Sequence, residues 1–214
     1  MYKMKMFHWI SLATLMMALP ALADDQVPLT TQLPPPLFVG TPVPINVPNL
    51  EPKITHWPQF MVPIGTTNMA LGKKVTSSDS DPVVGTLDLV TDGDKDGDEG
   101  SWVELGPGRQ WIQIDLGQEA AIYAITVWHY HSQARVYRDV QVQVSDDPDF
   151  AKGVTTLYDN SASGQDRPYI ETNLGKLIDG RGVKGRYVRL YSNGNTTDKL
   201  NHYIEVEVFG KPAS

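Results

Sequence analysis

The sequence predicts an all-β protein, an antiparallel sandwich or barrel, and three observations support this prediction. Short runs alternate apolar and polar residues with the period of two that is typical of half-buried strands, at residues 112–116, 123–128, 140–144, 187–191 and 204–209. These runs are rich in Val, Ile and Tyr, and turn residues bound them. No stretch beyond residue 23 shows sustained helical periodicity. The roughly 145 residues from 66 to 211 are enough for one core of this kind, so a second domain is not needed.

The first 23 residues are predicted to be a signal peptide. Lys3 and Lys5 precede an apolar run over residues 7–19, and Ala21-Leu22-Ala23 forms a small-x-small cleavage site before Asp24. A membrane anchor is the alternative, but the run is short for a bilayer span and ends at Pro20. The chain has no cysteine, which excludes disulfides and a Cys-linked lipid anchor. We therefore expect an exported protein of the periplasm, cell surface or extracellular space.

The charge of the chain argues against two kinds of partner. The formal net charge is −7, and removal of Lys3 and Lys5 with the signal peptide changes it to −9. An acidic protein lacks the basic surface that phosphate backbones require, so nucleic acid is not an expected partner. The same balance disfavours anionic lipid head groups, and no transmembrane segment is expected after signal cleavage.

Residues 24–65 are predicted to form an extended Pro-rich arm. This segment holds ten of the sixteen prolines, which fix φ, remove donors and prevent helix formation. It is also unusually apolar for a disordered tail, with Leu37, Phe38, Ile54, Trp57 and Phe60 among its residues. We favour an arm that packs on its own domain or docks on a protein partner, with a solvated linker as the alternative.

An acidic, glycine-rich loop is the strongest candidate for a metal site. Eight acidic residues crowd 21 positions against Lys95 alone: Asp79, Asp81, Asp88, Asp92, Asp94, Asp96, Asp98 and Glu99. Closely spaced oxygen ligands suit a hard cation such as calcium. The start resembles an EF-hand loop, but the twelfth position is Val103 where a bidentate Glu is required. A solvated acidic loop without a metal is the alternative.

The order of several segments resembles the discoidin, or coagulation factor V/VIII type C, domain. These segments are the opening stretch at 68–78, the Asp92-Gly93-Asp94 turn, Trp102, the strand ending Asp115-Leu116-Gly117, and the stretches 137–145, 185–190 and 204–210. The resemblance implies a galactose-binding-like jelly-roll sandwich over residues 66–211, here preceded by the Pro-rich arm. It also implies a domain that binds ligands without catalysing a reaction, as in a bacterial secreted member of the family.

The resemblance further implies a structural calcium ion and its ligands. In the family, the ligands come from the Asp-Gly turn, nearby carbonyls and the start of the last strand. In this chain these positions correspond to the Asp92 carboxylate, the carbonyls of Leu89 and Asp94, and Glu205 with the carbonyl of Ile204. An inserted Asp-Gly-Asp-Glu-Gly segment departs from the family pattern, which leaves the contribution of Asp96 open.

Loops at one end of the predicted sandwich carry residue types that suit a sugar. Aromatic rings pack on the apolar face of a sugar, and Arg and Asn pair with its hydroxyls. The candidate ligand-binding residues are His129, Tyr130, His131, Arg135, Asn193, Asn195 and His202. One alternative is that such residues only cap the sandwich. Another is a zinc site, for which His129 and His131 would need a third ligand such as His202.

No motif in the sequence predicts an enzyme. The chain lacks a G-x-S-x-G elbow, a Gly-rich phosphate loop and an H-E-x-x-H motif, and its acids cluster in one loop. We therefore expect a non-catalytic secreted module that binds carbohydrate or a glycoconjugate through the end loops of a calcium-stabilised sandwich. The alternative is a structural or adhesive subunit of a cell-envelope or extracellular assembly, whose arm at 24–65 docks on an envelope protein.

Overall fold

A computed structural model describes Met1 and residues 25–213. The predicted signal peptide falls on residues outside this part of the chain, apart from Met1. Within the described part, no helix has the length and apolar character needed to cross a bilayer. One 3-10 helix, Leu87–Thr91, accompanies strands β1 Gln26–Pro28, β2 Met61–Pro63, β3 Thr67–Asn68, β4 Lys74–Ser77, β5 Val103–Leu105, β6 Gln110–Trp128, β7 Gln141–Ser145, β8 Thr155–Asp159, β9 Lys176–Ser192, β10 Asn201–Tyr203 and β11 Glu205–Pro212.

The two long strands, β6 and β9, each contribute to both layers of the sandwich. The sheet order is β3-β11-β6-β9-β7-β8, and β4 pairs with β6, all antiparallel. The first half of β6 pairs with β4 and the second half with β11. The register of β6 against β9 shifts between Asp115 and Ala120, where the two layers meet. β6 and β9 are therefore common to both layers, and the core lies between the two layers.

The predicted all-β antiparallel fold is confirmed, with two differences at the level of the strands. Residues 112–116 and 123–128 were predicted as separate strands, but both belong to β6. The register shift between Asp115 and Ala120 interrupts the apolar–polar alternation between them. Alternation in β7 places Val140, Val142 and Val144 in the core, as expected. In β11, in contrast, Glu205 and Glu207 are buried too, so both faces of this strand are covered.

The Pro-rich segment lies against the outer face of the sandwich. Its two ends form a ribbon, in which β1 pairs with β2 and Val27 stands opposite Val62. Leu29 and Val62 pack with Ala124 and Phe209 of the sandwich in a second, smaller apolar cluster. Trp57 stacks on Trp128 with parallel ring planes and ring centroids 6.5 Å apart.

Hydrogen bonds fix the same segment along its length. Thr31 Oγ1 donates to Glu207 Oε2 at 2.7 Å, and Asn173 Nδ2 donates to the Pro34 carbonyl at 2.9 Å. Further along, the Lys176 ammonium pairs with the Glu51 carboxylate at 2.6 Å. Apolar side chains remain accessible between these contacts, and Val43 is 74% exposed. Residues 25–65 thus form a strap across the sandwich that still presents apolar surface to solvent.

Candidate functional site

His129 anchors a buried polar cluster beneath the end loops. It directly follows β6 and is fully buried, and its Nδ1 donates to Glu171 Oε1 at 2.7 Å. Its ring stacks on Tyr137 with centroids 4.3 Å apart and lies 4.8 Å from the ring of Tyr203. These contacts on both sides join the end of β6 to the loop that contains Glu171. His129 is thus enclosed by protein and cannot contact a ligand at the surface.

His202, on the short strand β10, is the second imidazole of this cluster. Tyr137 Oη lies 2.9 Å from its Nδ1, and its Nε2 lies 2.9 Å from Glu104 Oε2. Burial, with the nearby positive charge of Arg135, lowers the pKa of His202 to about 4. The ring is therefore neutral at pH 7, accepts a hydrogen bond from Tyr137 and donates one to Glu104.

Arg135 and Asn195 hold the neighbouring loops together. The Arg135 guanidinium lies 4.6 Å from the centroid of the Tyr130 ring and donates to Asp198 at 3.3 Å. Asn195 Nδ2 donates to the other carboxylate oxygen of Asp198 at 2.6 Å, and its Oδ1 accepts from the amide of Thr197. Both side chains are buried. The Arg135 side chain bridges the loop after β6 to the loop after β9, and the Asn195 side chain makes its bonds within the latter loop.

The predicted ligand residues thus divide into two groups. His129, Arg135, Asn195 and His202 are buried beneath the loops. For Arg135 this agrees with the alternative that it caps the sandwich. More accessible positions belong to Asn193, which donates to Asp139 at 2.8 Å, and to Tyr130, whose ring meets Trp102 edge to face. Among the described residues, no group of three or more His, Asp or Glu side chains could hold a metal, so the zinc alternative gains no support.

A cavity of about 510 Å³ opens between the strap and the end loops. The sandwich contributes His131, Ala134 and the segment 171–174, and the strap contributes residues 36–38 and 53–55. Glu171 Oε2 and His131 Nδ1 are buried and have no hydrogen-bond partner among residues 25–213. His131 was among the predicted ligand residues, whereas Glu171 was not. A signal for Glu171 existed, because this carboxylate directly follows the apolar pair Tyr169-Ile170.

The acidic loop is folded by its own carboxylates and fastened to the last strand. Asp92 Oδ1 accepts from the Asp94 amide at 2.8 Å, and Asp94 Oδ1 accepts from the Asp96 amide at 2.9 Å. The Gly93 amide donates to Glu205 Oε2 at 3.1 Å. Further contacts run to the end loops, where His131 Nε2 donates to the Lys95 carbonyl at 2.9 Å. The loop therefore bridges β11 and the cavity wall.

Glu205 is the chemically unusual residue of this region. It is fully buried, and within the described part of the chain its Oε1 has no hydrogen-bond partner. Burial raises the pKa of Glu205 to about 9, and burial also raises the pKa of Asp92. The lone basic residue of the loop, Lys95, pairs with Glu207 at 2.8 Å and lies over the Trp128 ring. The buried Glu205 oxygen without a partner, near the exposed Asp92 carboxylate, fits a cation ligand set that is completed by backbone carbonyls.

The family of the sandwich follows from comparison with known proteins. Residues 89–190 match the family model of the F5/F8 type C domain described as the NedA-like, galactose-binding domain. The matched segment begins in the 3-10 helix and ends in β9, so it includes the acidic loop and most of the end-loop cluster. Residues 89–190 are therefore similar to the F5/F8 type C, galactose-binding-like domain. No curated protein sequence is detectably similar to the chain.

Solved structures share this fold at low sequence identity. A family 89 glycoside hydrolase from Clostridium perfringens, in complex with its substrate GlcNAc-α-1,4-galactose, matches with a TM-score of 0.53 and 20% identity. This match covers 68% of the present chain and 15% of the hydrolase. A truncated AlyQ with CBM32 and alginate lyase domains matches with a TM-score of 0.50 and 19% identity, over 70% of this chain and 35% of that one. The chain thus corresponds to a small part of each larger protein.

Proposed function

We propose that the protein is an exported, non-catalytic module that binds carbohydrate in the cavity between the strap and the end loops. The observation that carries this proposal is the cavity itself, located at the end loops of a galactose-binding-like sandwich. Its volume of about 510 Å³ lies within the range typical of small-molecule sites. Leu37, Phe38 and Ile54 give it an apolar wall for the C–H face of a sugar ring.

The polar groups of the cavity suit sugar hydroxyls. Glu171 and His131 line the cavity, and among the described residues their buried Oε2 and Nδ1 atoms have no hydrogen-bond partner. A hydroxyl is a donor that satisfies such an acceptor, and a buried acceptor left without a donor costs about 1–3 kcal/mol. The names of the solved structures that share this fold support the same ligand class, since they include a hydrolase bound to GlcNAc-α-1,4-galactose and an alginate lyase with a CBM32 domain.

A calcium ion would be a structural part of this module. Asp92 and Glu205 would supply carboxylate oxygens, and the carbonyls of Leu89, Asp94 and Ile204 would complete the set, with Asp96 as a further candidate. The buried Glu205 Oε1 without a partner supports this proposal. The ion would neutralise the carboxylates and fasten the acidic loop to β11, and through the His131–Lys95 contact it would hold one wall of the cavity.

A substitution of Phe38 tests the binding site. Phe38 lines the cavity from the strap and is 51% exposed, so Phe38→Ala removes a wall of the site at little cost to folding. A sugar ligand first identified on a glycan array is expected to bind the wild type with a Kd of about 1 mM, or about −4 kcal/mol. The variant is expected to bind roughly five- to tenfold more weakly by calorimetry, since a ring contact contributes about 1 kcal/mol.

The matched control is Val43→Ala, which truncates an exposed strap residue outside the cavity lining. It should leave both the affinity and the melting temperature unchanged. Equal affinity of Phe38→Ala and wild type would place the sugar elsewhere. A glycan array without any hit would remove the carbohydrate proposal itself.

The exposed apolar surface of the strap favours a second candidate function, a subunit of an envelope or extracellular assembly. Val39 and Val43 remain accessible although the strap is fixed at both ends. Such surface is typical of protein contacts. If the strap docks on an envelope protein, Val43→Glu should abolish capture of that protein from envelope extract. Phe38→Ala should weaken sugar binding but leave the capture unchanged. Capture that is unchanged by Val43→Glu would contradict this candidate.

A further inference from the structure

The cavity between the strap and the end loops carries its accessible charge on the strap. Three of the residues that line it can bear a charge: Lys53, His131 and Glu171. His131 is 5% exposed and Glu171 is 2% exposed, and the Glu171 carboxylate is held from within the protein by His129 and Tyr169. Lys53, in contrast, is an exposed residue. The charged group of the lining that solvent reaches is therefore an ammonium.

Lys53 has no acidic partner of its own in the described part of the chain. Within residues 25–213 its side chain takes part in no ion pair. The acid closest to it along the strap, Glu51, is bound by Lys176, whose Nζ donates to the two carboxylate oxygens at 2.7 and 2.6 Å. Because Glu51 and Lys176 neutralise each other, the positive charge of Lys53 is left uncompensated at the cavity.

A smaller cavity of about 130 Å³ lies on the strap side of the first one. Lys53, Ile54 and Thr172 line both cavities, so the Lys53 side chain lies where the two meet. The smaller volume is below the range typical of a small-molecule site. It gives the flexible four-carbon stem of Lys53 room to move, so its ammonium can follow a ligand in the larger cavity.

The acidity of the whole chain does not cancel a contact with Lys53. The net charge of −7 repels an anion at long range. At 0.15 M salt the Debye length is about 8 Å, so exposed charges farther away are largely screened, whereas a pair in direct contact is not. Asp94 and Asp96 of the acidic loop line a different cavity. The sign of the charge in contact with the ligand is therefore positive.

We propose that the cavity prefers an acidic sugar, whose carboxylate or sulfate group pairs with the Lys53 ammonium while the sugar ring packs on the apolar wall of the strap. This proposal rests on the proposed function and names the class of sugar for the same cavity. An ammonium acts as a point charge, so it accepts either anion without requiring a planar partner. Because Lys53 is exposed, the pair adds a modest gain in affinity, roughly three- to fivefold.

Five probes test the proposal by calorimetry on the full exported chain. D-glucuronate and D-glucose 6-sulfate carry the anion, D-glucose and D-glucuronamide are neutral, and cyclohexanecarboxylate has the anion on an apolar ring without hydroxyls. We expect at least one of the two anionic sugars to bind about three- to fivefold more tightly than both neutral sugars. The preference should shrink when the salt is raised from 0.05 to 0.5 M, since the pair is exposed. Cyclohexanecarboxylate is expected to bind more weakly than the preferred anionic sugar.

Lys53→Met is the decisive variant, because it removes the charge and keeps an apolar stem of similar length. We expect it to bind anionic and neutral sugars equally. Lys53→Arg, which keeps the charge, should keep the preference. The matched control is Lys152→Met, which removes the same charge at an exposed position outside the lining of both cavities and should also keep the preference. Melting temperatures of the three variants check that the fold is intact.

The possible failures are distinguishable. If the wild type binds both anionic sugars no more tightly than glucose, the acidic preference is overturned and carbohydrate binding still stands. A preference that persists in Lys53→Met, or that does not change with salt, overturns the assignment to Lys53. Cyclohexanecarboxylate binding as tight as that of the anionic sugars overturns the sugar assignment. If none of the probes or arrayed glycans binds, the proposed function fails as well.

Discussion

His202 is kept neutral by its surroundings, and this makes the end-loop cluster sensitive to acid. Its folded-state pKa is about 4, below the ordinary value of 6.5 for an unfolded chain. Between pH 6.5 and about 4, His202 is protonated in the unfolded chain but stays neutral in the folded chain. The stability provided by the neutral ring is therefore complete above pH 6.5 and is lost as the pH falls towards about 4. The groups that face His202 are Tyr137, Glu104, Arg135, Asp198, His129 and Tyr130.

His202→Gln is expected to reduce this acid sensitivity. A glutamine can accept from Tyr137 and donate to Glu104 but does not titrate. Urea unfolding at pH 7.5 and pH 4.5 should show that wild type loses on the order of 2 kcal/mol more than the variant over this range. His56→Gln, at an exposed position, is the matched control and should behave as wild type. Identical pH profiles for wild type and His202→Gln would contradict the prediction.

At the scale of the elements, the acidic loop and β11 depend on each other. Glu205 begins β11, and its carboxylate accepts from the Gly93 amide within the loop. A ligand that binds only the folded state adds stability that grows with its concentration, about 2.7 kcal/mol at one hundred times its Kd. Calcium is therefore expected to raise the melting temperature by several degrees, and chelation to reverse the rise.

Asp92→Asn is expected to abolish this calcium response, whereas Asp98→Asn should keep it. Both substitutions remove one charge from the same exposed loop, but only Asp92 is a proposed ligand. Differential scanning calorimetry with and without chelator measures the response. A wild-type melt that is the same in calcium and in chelator would exclude the ion, and a response retained in Asp92→Asn would exclude the assignment of its ligands.

The strands of the sandwich were predictable because their periodicity is local, whereas the corner of the fold was not. Alternation identified β7 and both halves of β6, since inward valines and isoleucines recur at every second residue. Residues 116–119 lie where β6 changes partners, and the local sequence does not show that the strand continues through this corner. Strand β8, Thr155–Asp159, was missed because its buried apolar residues, Leu157 and Tyr158, are neighbours and do not alternate with polar residues.

The residue types of the candidate site could be predicted from the sequence, but the burial of its residues could not. His131 was identified from its loop position and lines the cavity, but the same reasoning placed Arg135 and Asn195 at the surface. Burial of a polar loop residue depends on which other loops cover it, and Asp198, the partner of Arg135, lies 63 positions away in sequence. The strap wall of the cavity comes from residues more than 70 positions before His131. Local sequence patterns do not predict contacts between residues so far apart.

At the scale of the whole molecule, the strap is expected to contribute to the stability of the sandwich. Trp57 stacks on Trp128, which is itself fully buried and belongs to β6. Because Trp57 is half-buried, Trp57→Ala is expected to cost about 2 kcal/mol, less than the 3–5 kcal/mol typical of a fully buried tryptophan. Urea unfolding measures the loss, with Val43→Ala as the control that should be neutral. An unchanged unfolding midpoint in Trp57→Ala would show that the strap is not coupled to the core.

The contact between Thr31 and Glu207 joins residues 176 positions apart. Synthesis proceeds from the amino end, so the strap exists long before the strand on which it rests. Until β11 is made, Thr31 lacks its partner and the apolar cluster of Leu29 and Val62 lacks Phe209, and the prolines keep the segment extended and unable to form a helix of its own. The first segment can therefore make its full set of contacts only after the last strand has been synthesised.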